Sequence, residues 1–543
     1  MDIHQTLPPK TGLAGLKENW RSDLQAGFFV FLIALPLCLG IAIASGFPPS
    51  AGIITAVVGG VVVSRLNGSY VTINGPAAGL IVVIISAVQA LGEGDALAGY
   101  RYTLAAIMLA GALQVVMGLY KAGQFSAFFP AAVVHGMLAA IGIIIIAKQS
   151  HVMLGAYNGP GSIFSTIAQI PHSFLNPNLK IAFIGMSGLA ILIGWPRVRH
   201  PRLKLIPAPI VVLISGIVFG LLFGLQQDFD QSTVSEKQLI FPQFLVAIPE
   251  DLSGYFYLPD FSKLFTFAFW EAVISICLVG SLETLLSVSA IDKLDPYKRT
   301  SDFDRELTAI GYGNALSAFF GGLPMIAEIV RSSANIQYGG KTSWANFFHG
   351  LIFLGVVVLF PTVIQNIPLA SLAALLVYTG YRLASPKTFR QVLDIGVEQF
   401  CLFAITIVAV LATDLLIGVA IGIIVKFVIH IARGVWLDNL FKIHFRIERG
   451  ETGTIIVKLL GSALFSNFLP LKNALAELEQ GQTIIFDFSE GYLIDHTVME
   501  FINDFSHRYA AQSGVCRQVG HALERFSDHA LAARLMTKDD RKN

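Results

Sequence analysis

From residue 24 to residue 433 the chain is a near-unbroken succession of apolar runs, most of them close to the length that crosses a lipid bilayer. A helix needs about 20 apolar residues to cover the hydrocarbon core. Seven candidate spans cover 24–45, 50–65, 73–90, 102–119, 125–147, 179–195 and 207–225. A polar stretch, 226–260, separates them from seven more at 264–290, 307–321, 325–338, 345–359, 369–380, 398–412 and 415–431, about 14 in all. The expected fold is an all-α polytopic membrane protein. Composition agrees: 54% of residues are hydrophobic and 13% charged, against about 25% charge in a soluble protein. Fifty glycines and 23 prolines within apolar sequence suit membrane helices, which tolerate both.

The same numbers exclude several functions. Lys and Arg (37) balance Asp and Glu (36), so no bulk charge draws the chain to nucleic acid. Cys38, Cys277, Cys401 and Cys516 have no ligand-like spacing, which argues against a disulfide framework or a metal site. With no nucleophile constellation either, no catalytic residues, no enzyme activity and no cofactor are expected. No cleavable signal peptide is visible, and residues 1–23 read as a polar N-terminal segment.

Basic residues test the span count. They follow span 2 (Arg65), span 4 (Lys121), span 6 (Arg197, Arg199, Arg202, Lys204), span 8 (Lys293, Lys298, Arg299, Arg305) and span 12 (Arg382, Lys387, Arg390). The loop after span 7 is acidic, with Asp228, Asp230, Glu236, Glu250 and Asp251. Both termini are therefore expected in the cytoplasm, across a bacterial-type inner (plasma) membrane. After about Arg433 the texture changes. Residues 454–460 and 483–488 read as buried strands, and 467–479 and 497–509 as helices. Residues 434–543 are expected to form a small cytoplasmic α/β domain that regulates, or holds a cytoplasmic partner, rather than catalyses.

Seven spans, a loop and seven more suggest two inverted repeats, 24–225 and 264–433. Such carriers build their site from interrupted helices at corresponding positions of the two halves. Span 3 is preceded by Tyr70-Val71-Thr72-Ile73-Asn74-Gly75-Pro76, an extended segment with a helix expected to start near Pro76. Span 10 opens with Gly321-Gly322-Leu323-Pro324, closes at Tyr338-Gly339-Gly340, and holds Glu328 and Arg331. Two helix N-termini meeting at mid-membrane favour an anion. The expected ligands are backbone N–H groups of Ala77, Ala78 and residues 329–332, with the hydroxyls of Ser332 and Ser287. In span 8, Val279, Glu283 and Ser287 share one helix face. A carboxylate at that depth must be protonated, paired or cation-bound, so Glu283 reads as the coupling group, for a proton or for sodium. Arg331 reads either as the cation that attracts the anion or as the partner of Glu328 at i, i+3. His135 and His349 read as satisfied structural histidines, Lys426 as a snorkelling side chain, and Asp414 as an exposed turn residue.

Taken together, Leu35-Pro36 with Gly46-Phe47-Pro48-Pro49-Ser50-Ala51-Gly52, Gly75-Pro76, the 280–287 stretch GSLETLLS, and Val330-Arg331-Ser332 with Gly339-Gly340-Lys341-Thr342 resemble the SulP anion transporters (solute carrier family 26 in animals). The tail resembles their STAS domain. The resemblance implies a core domain of spans 1–4 and 8–11, a gate domain of spans 5–7 and 12–14, an anion between spans 3 and 10, and a homodimer. Substrates across that family include sulfate, bicarbonate, chloride and dicarboxylates. It implies that Gly75, Pro76, Ala77, Ala78, Ser287, Val330, Arg331 and Ser332 line the anion site. Glu283 then falls where proton-coupled members carry Glu and sodium-coupled ones Asp. The chain departs from the pattern at Glu328, a carboxylate where small or hydroxyl residues are usual and so a modulator of the site. It departs again at Leu37-Cys38, and at Ile494-Asp495-His496-Thr497, where Thr497 is the one hydroxyl left for regulatory phosphorylation.

The expected function is proton-coupled symport of a small oxyanion, sulfate or bicarbonate, by an elevator motion in the lipid bilayer. The alternatives are a sodium-coupled bicarbonate symporter, a dicarboxylate transporter and, in another class, an anion channel or voltage-driven motor. A nucleobase–cation symporter is disfavoured by Arg331 and by the tail.

Overall fold

The computed structural model describes residues 8–536 apart from 124–128, 157–161, 199, 201–205, 226–243, 249–255, 451–453, 479–480, 512–513 and 521–522. The acidic loop and the basic residues Arg199, Arg202 and Lys204 therefore lie outside the described residues. The chain divides into two compact units, one of residues up to 123 with 141–382, the other of 124–140 with the rest from 383. The sequence boundary near Arg433 falls inside the second.

The first unit runs α1 (Gly12–Ala44), α2 (Pro49–Val58), a π-helical turn (Gly59–Val63), α3 (Ser64–Leu66), β1 (Asn74–Pro76), α4 (Ile81–Gly92) and α5 (Ala96–Leu119). After most of α6 (Ala131–Met153) come α7 (Ile163–Leu175), α8 (Leu179–Gly194), α9 (Ala208–Leu222), α10 (Phe267–Leu294) and α11 (Phe303–Phe319). It closes with β2 (Met325–Ala327), α12 (Ile329–Gln337), α13 (Trp344–Leu359), α14 (Pro361–Gln365) and α15 (Leu369–Leu383). Across the described residues, seven helical stretches are long and apolar enough to cross a membrane: α1, α2 through α3, α5, α6, α8 with the turn after it, α10, and a helix of the second unit at Leu415–Ala432. Each of the other apolar segments read from the sequence also carries a helix.

Local chemistry sets where these helices start. Asp95 accepts from the N–H groups of Leu97 and Ala98, Thr266 from Phe269, and Asp302 from Asp304 and Arg305, each satisfying donors that a helix leaves open. In lipid, helices pack through small residues that let backbones approach. Gly111 faces Gly311 where α5 crosses α11, and Gly60 faces Gly350 where the π turn meets α13. A Cβ at any of the four would come under 3.0 Å from backbone.

Three boundaries differ from the sequence reading. The first helix begins at Gly12, not residue 24, because buried Asp23 is held inside it, accepting from the N–H groups of Lys341 (2.7 Å) and Thr342 (3.2 Å). The helix of span 3 begins at Ile81 rather than Pro76, and residues 325–327 are strand rather than the start of span 10. Both differences have one cause: β1 and β2 pair antiparallel, Asn74 with Ala327, Gly75 with Ile326 and Pro76 with Met325. Helices α7 and α16 (Pro386–Ile395) escaped the sequence reading because their apolar residues lie on one face instead of forming a run.

The second unit adds α16, α17 (Val397–Ala412), α18 (Leu415–Ala432) and α19 (Leu437–Phe441) to a C-terminal α/β fold. Asp414 is half-buried and caps α18, accepting from Ile417 N–H at 2.9 Å, so it is more than a turn residue. Lys426 does not snorkel. It is 1% exposed and donates to Glu398 at 2.8 Å, while Arg433 donates to the other oxygen of that carboxylate. The C-terminal sheet comprises β3 (His444–Arg449), β4 (Thr454–Ala463), β5 (Thr483–Asp487), β6 (Gly491–Ile494), β7 (Val515–Val519), β8 (Leu523–Arg525) and β9 (Arg534–Met536). Its order is β7-β5-β4-β6-β9-β8, with β3 also on β4. Inward residues Ile455, Val457, Ile484 and Phe486 alternate along β4 and β5 and pack with residues of α20 (Leu469–Ala476) and α21 (His496–Ala511). Asp495 caps α21, accepting from Val498 N–H (2.9 Å) and Phe465 N–H (2.8 Å), and burial pushes its carboxyl above the usual range. Thr497 is half-buried in the first turn of that helix.

Candidate anion site at two broken helices

The two-stranded ladder β1–β2 joins the interrupted helices. Glu328 N–H extends it by donating to Ile73 O at 2.9 Å, and Ile73 N–H donates to the Ser332 hydroxyl at 2.9 Å. That hydroxyl also donates to Glu328 O at 2.6 Å, so Ser332 braces the start of α12 with both its lone pair and its proton. One asparagine anchors each strand from behind. Asn346 of α13 donates to the side chain of Asn74 (2.8 Å) and to Gly59 O (3.2 Å). Asn314 of α11 accepts from Met325 N–H at 2.6 Å and passes the network to Gln114 (2.7 Å), which donates to Ser281 of α10 at 3.2 Å. Glu306 holds the loop ahead of β1, accepting from Gly68 and Ser69 N–H at 2.8 and 3.0 Å.

Charge gathers at this crossing. Arg331 is fully buried. Its Nη2 reaches only Pro76 O, at 3.4 Å, while Nε and Nη1 have no hydrogen-bond partner among the described residues. The guanidinium lies so close to Gly75 that a Cβ there would overlap Nη1. Cys38 of α1, where the chain departs from the family pattern, lies beside the same guanidinium. Glu283 of α10 is buried against Gly79, where a Cβ would overlap the carboxylate, and its Oε2 has no hydrogen-bond partner among the described residues. Glu328 is within electrostatic reach of both charges. The expected placement of Glu328 inside the half-helix is corrected: it is the residue before α12, with extended backbone.

The remaining sequence candidates fall around this centre. Gly75, Pro76 and Ala77 are buried, and Ala78, Val330 and Ser287 half-buried, Ser287 one turn beyond Glu283. His349 is buried against Phe353, its ring centroid 5.1 Å away, but neither ring nitrogen has a partner among the described residues, so it is not the satisfied histidine the sequence suggested. His135 is exposed. Gln114, Asn314, Asn346 and Glu306 were not singled out in the sequence. Polar residues within apolar runs were the available signal. Among the described residues no cluster of His, Cys, Asp and Glu could hold a metal ion.

Chemically, the first turns of α4 and α12 present N–H groups that no carbonyl of their own helix can satisfy, beside a desolvated guanidinium. An uncompensated buried cation is costly, and its natural complement is a small anion with several acceptor oxygens. The carboxylate at Glu283 demands the opposite, a proton or a cation.

The chain as a whole is similar to known proteins. Residues 20–406 match the sulfate permease family. The Bacillus subtilis protein YvdB is 26% identical over 514 residues, covering 93% of this chain and 92% of that one. The bicarbonate transporter BicA of Picosynechococcus is 26% identical over 420 residues, covering 77% and 71%. Among solved structures, the murine solute carrier 26 family member A9 anion transporter in its inward-facing state has the same fold, at a TM-score of 0.64 and 15% identity over 92% of this chain and 85% of that one.

Proposed function

The chain belongs to the sulfate permease family, and from that premise we propose that it carries a small inorganic oxyanion, sulfate or bicarbonate, in symport with protons through Glu283. Anion transport, not enzyme chemistry, is the activity of the relatives it matches. The observation that carries the reading is Arg331, a fully buried guanidinium between two helix starts with two N–H-bearing nitrogens unpartnered among the described residues. In our assignment Gly75 and Pro76 shape the seat, and the N–H groups of Ala77, Ala78 and residues 329–331 face the anion, the N–H of Ser332 being already donated to Glu328 O at 2.9 Å. Arg331 supplies the charge, while Val330 and Ser332 present and brace the half-helix. Glu283 loads a proton with the anion, and Ser287 lies one turn away to assist.

We assign the transport domain to 24–433, in repeats 24–225 and 264–433, and the STAS-like domain to 434–543. Spans 1–4 and 8–11 move as one body against the rest in an elevator step. The protein is a homodimer of the inner membrane with both termini in the cytoplasm. The STAS-like domain takes a cytoplasmic partner, and Thr497 is its candidate for phosphorylation. A second reading, sodium coupling, is supported by the unpartnered Glu283 oxygen with Ser287 on the same face, since a hard cation accepts such oxygens. Uptake of labelled sulfate and bicarbonate into proteoliposomes under separate proton and sodium gradients tests both. Accumulation driven by the proton gradient alone supports the proposal, whereas accumulation driven only by sodium replaces it with the second reading. Full uptake by Arg331→Gln removes the proposed seat.

A further inference from the structure

The apolar surface of α18 does not stop where the helix stops. Its exposed residues Ile417, Ile424, Val428 and Ile431 recur at i, i+7, i+11 and i+14, one stripe along a helix. Asp414 caps one end of that helix. Its 18 residues rise about 27 Å, just enough to cross a hydrocarbon core of about 30 Å, so the chain after Ala432 emerges at the headgroup boundary. The next helix, α19, carries Trp436, Leu437 and Phe441 in and beside it, and they are 80%, 70% and 72% exposed. Water-facing surfaces rarely leave three large apolar side chains open side by side.

The rest of α19 holds them outward. Leu440 is buried with Leu464 and Leu493 of the C-terminal fold. Its carbonyl accepts from the Ser466 hydroxyl, and the Asn439 carbonyl accepts from the side-chain amide of Asn467. Rotating the helix to bury Trp436 or Phe441 would undo these anchors. Phe441 also stands against Phe427 of α18, ring centroids 5.7 Å apart, so the patch continues the surface of the membrane-spanning helix. The exposed charges beside it, Asp438 and Lys442, are of opposite sign and leave no net charge to choose a headgroup.

We propose that α19 is an interfacial anchor: Trp436, Leu437 and Phe441 insert into the leaflet on the C-terminal side of α18 and seat the C-terminal fold on the membrane surface. The occupant of the patch is phospholipid. An indole is suited to that depth, with its ring among the acyl chains and its N–H toward the headgroups. Burying the three side chains in the leaflet removes the apolar area that the fold leaves open to water. Insertion is apolar, so it requires no anionic lipid. The anchor depends neither on which anion is carried nor on the coupling ion. Its consequence is mechanical: the C-terminal sheet is held at a fixed height below the end of α18 from both sides, by Leu440 toward the sheet and by the patch toward lipid.

The test is tryptophan fluorescence of the full-length protein in phosphatidylcholine vesicles, brominated either just below the headgroup or near the acyl terminus. The chain has five tryptophans, so the Trp436 signal is the difference between the unchanged protein and Trp436→Phe, which keeps an aromatic ring in place. That difference is expected to be quenched about twofold more by the shallow bromines than by the deep ones. It is also expected to be shielded from aqueous iodide, and to be the same with and without phosphatidylglycerol. Quenching by iodide instead of bromine overturns the anchor, because the patch then faces water. Shielding from both quenchers overturns it too, because the patch is then covered by a second copy of the chain or another protein. Bromine quenching that appears only with phosphatidylglycerol overturns the apolar mode of insertion. Leu437→Trp adds a second reporter on the same helix and is read against the unchanged protein, which keeps the test decisive should Trp436→Phe unfold. Thermal unfolding of each variant in the same vesicles checks folding.

Discussion

The two broken helices share one backbone plan and divide the chemistry unequally. The first branch, β1 into α4, offers Gly75, Ala77, Ala78 and Gly79: no charge, little side chain, and donors on the backbone. The second, β2 into α12, carries Glu328, Arg331 and Ser332. The spaces left at Gly75 and Gly79 are filled from the second half of the chain, by Arg331 and Glu283. In the proposed inverted repeats, symmetry of fold therefore comes without symmetry of residue content: one branch carries small residues and backbone N–H groups, the other carries charge.

The hardest test of that division adds a single methyl on the first branch. Gly79→Ala and Gly75→Ala each drive a Cβ into a charged group, the Glu283 carboxylate and the Arg331 guanidinium, which must then shift, and displacement of a site group by about 1 Å can cost about 100-fold in rate. Oxyanion uptake is expected to fall by about that factor in each, measured in proteoliposomes with protein insertion held equal. Val330→Ala, a comparable one-residue change on the second branch, is expected to leave uptake within about threefold. Equal losses on both branches would break the comparison.

Charge on the second branch comes next. Arg331→Lys retains the charge but presents a point donor rather than a planar fork, and the shorter reach forfeits bonds worth about 1.5–3 kcal/mol to a charged acceptor. Binding of the preferred anion, read by calorimetry, is expected to weaken about 10- to 100-fold. Unchanged binding would mean that the backbone donors of the first branch hold the anion alone. Glu283→Gln separates driving force from seat. Counterflow exchange should persist within about threefold while uphill accumulation under a proton gradient is lost. Retained accumulation would remove Glu283 from coupling.

Much of this was legible in the sequence because membrane helices announce themselves by continuous apolar content. The broken helices were legible because Gly and Pro interrupt otherwise apolar runs at Gly75-Pro76 and Gly321-Gly322-Leu323-Pro324. The exact helix starts were not. Pro76 suits a first helical turn, but pairing with Met325, distant in sequence, holds it in a strand. Long-range partners were invisible for the same reason. Lys426 resembles a snorkelling residue until Glu398, 28 positions earlier, is found beside it. Ser332 looked like an anion ligand, yet its hydroxyl is taken up by the backbone of Ile73 and Glu328. Of the C-terminal sheet, β4 and β5 were visible as β-branched runs, while β6, β8 and β9, three or four residues each, are too short to show a period.

The smallest expected effect lies in the two asparagines that hold the strands, where the branches come closest to equivalence. Asn314 accepts from Met325 N–H at 2.6 Å and also satisfies Gln114, whereas the Asn346 bond to Asn74 N–H is long, at 3.4 Å. Replacing Asn314 by Ala therefore orphans a buried backbone donor and a buried side-chain acceptor together, at about 1–3 kcal/mol for each group left unsatisfied. Asn346→Ala orphans the Asn74 side-chain oxygen and releases a weaker backbone bond. Both variants should lower the thermal unfolding midpoint in detergent, Asn314→Ala by the larger amount, with uptake falling only as far as β2 or β1 shifts. If Asn346→Ala is the more damaging, the first branch depends on its side-chain support as much as on its small residues. The division between a branch of space and a branch of charge would then have to be redrawn around Asn74.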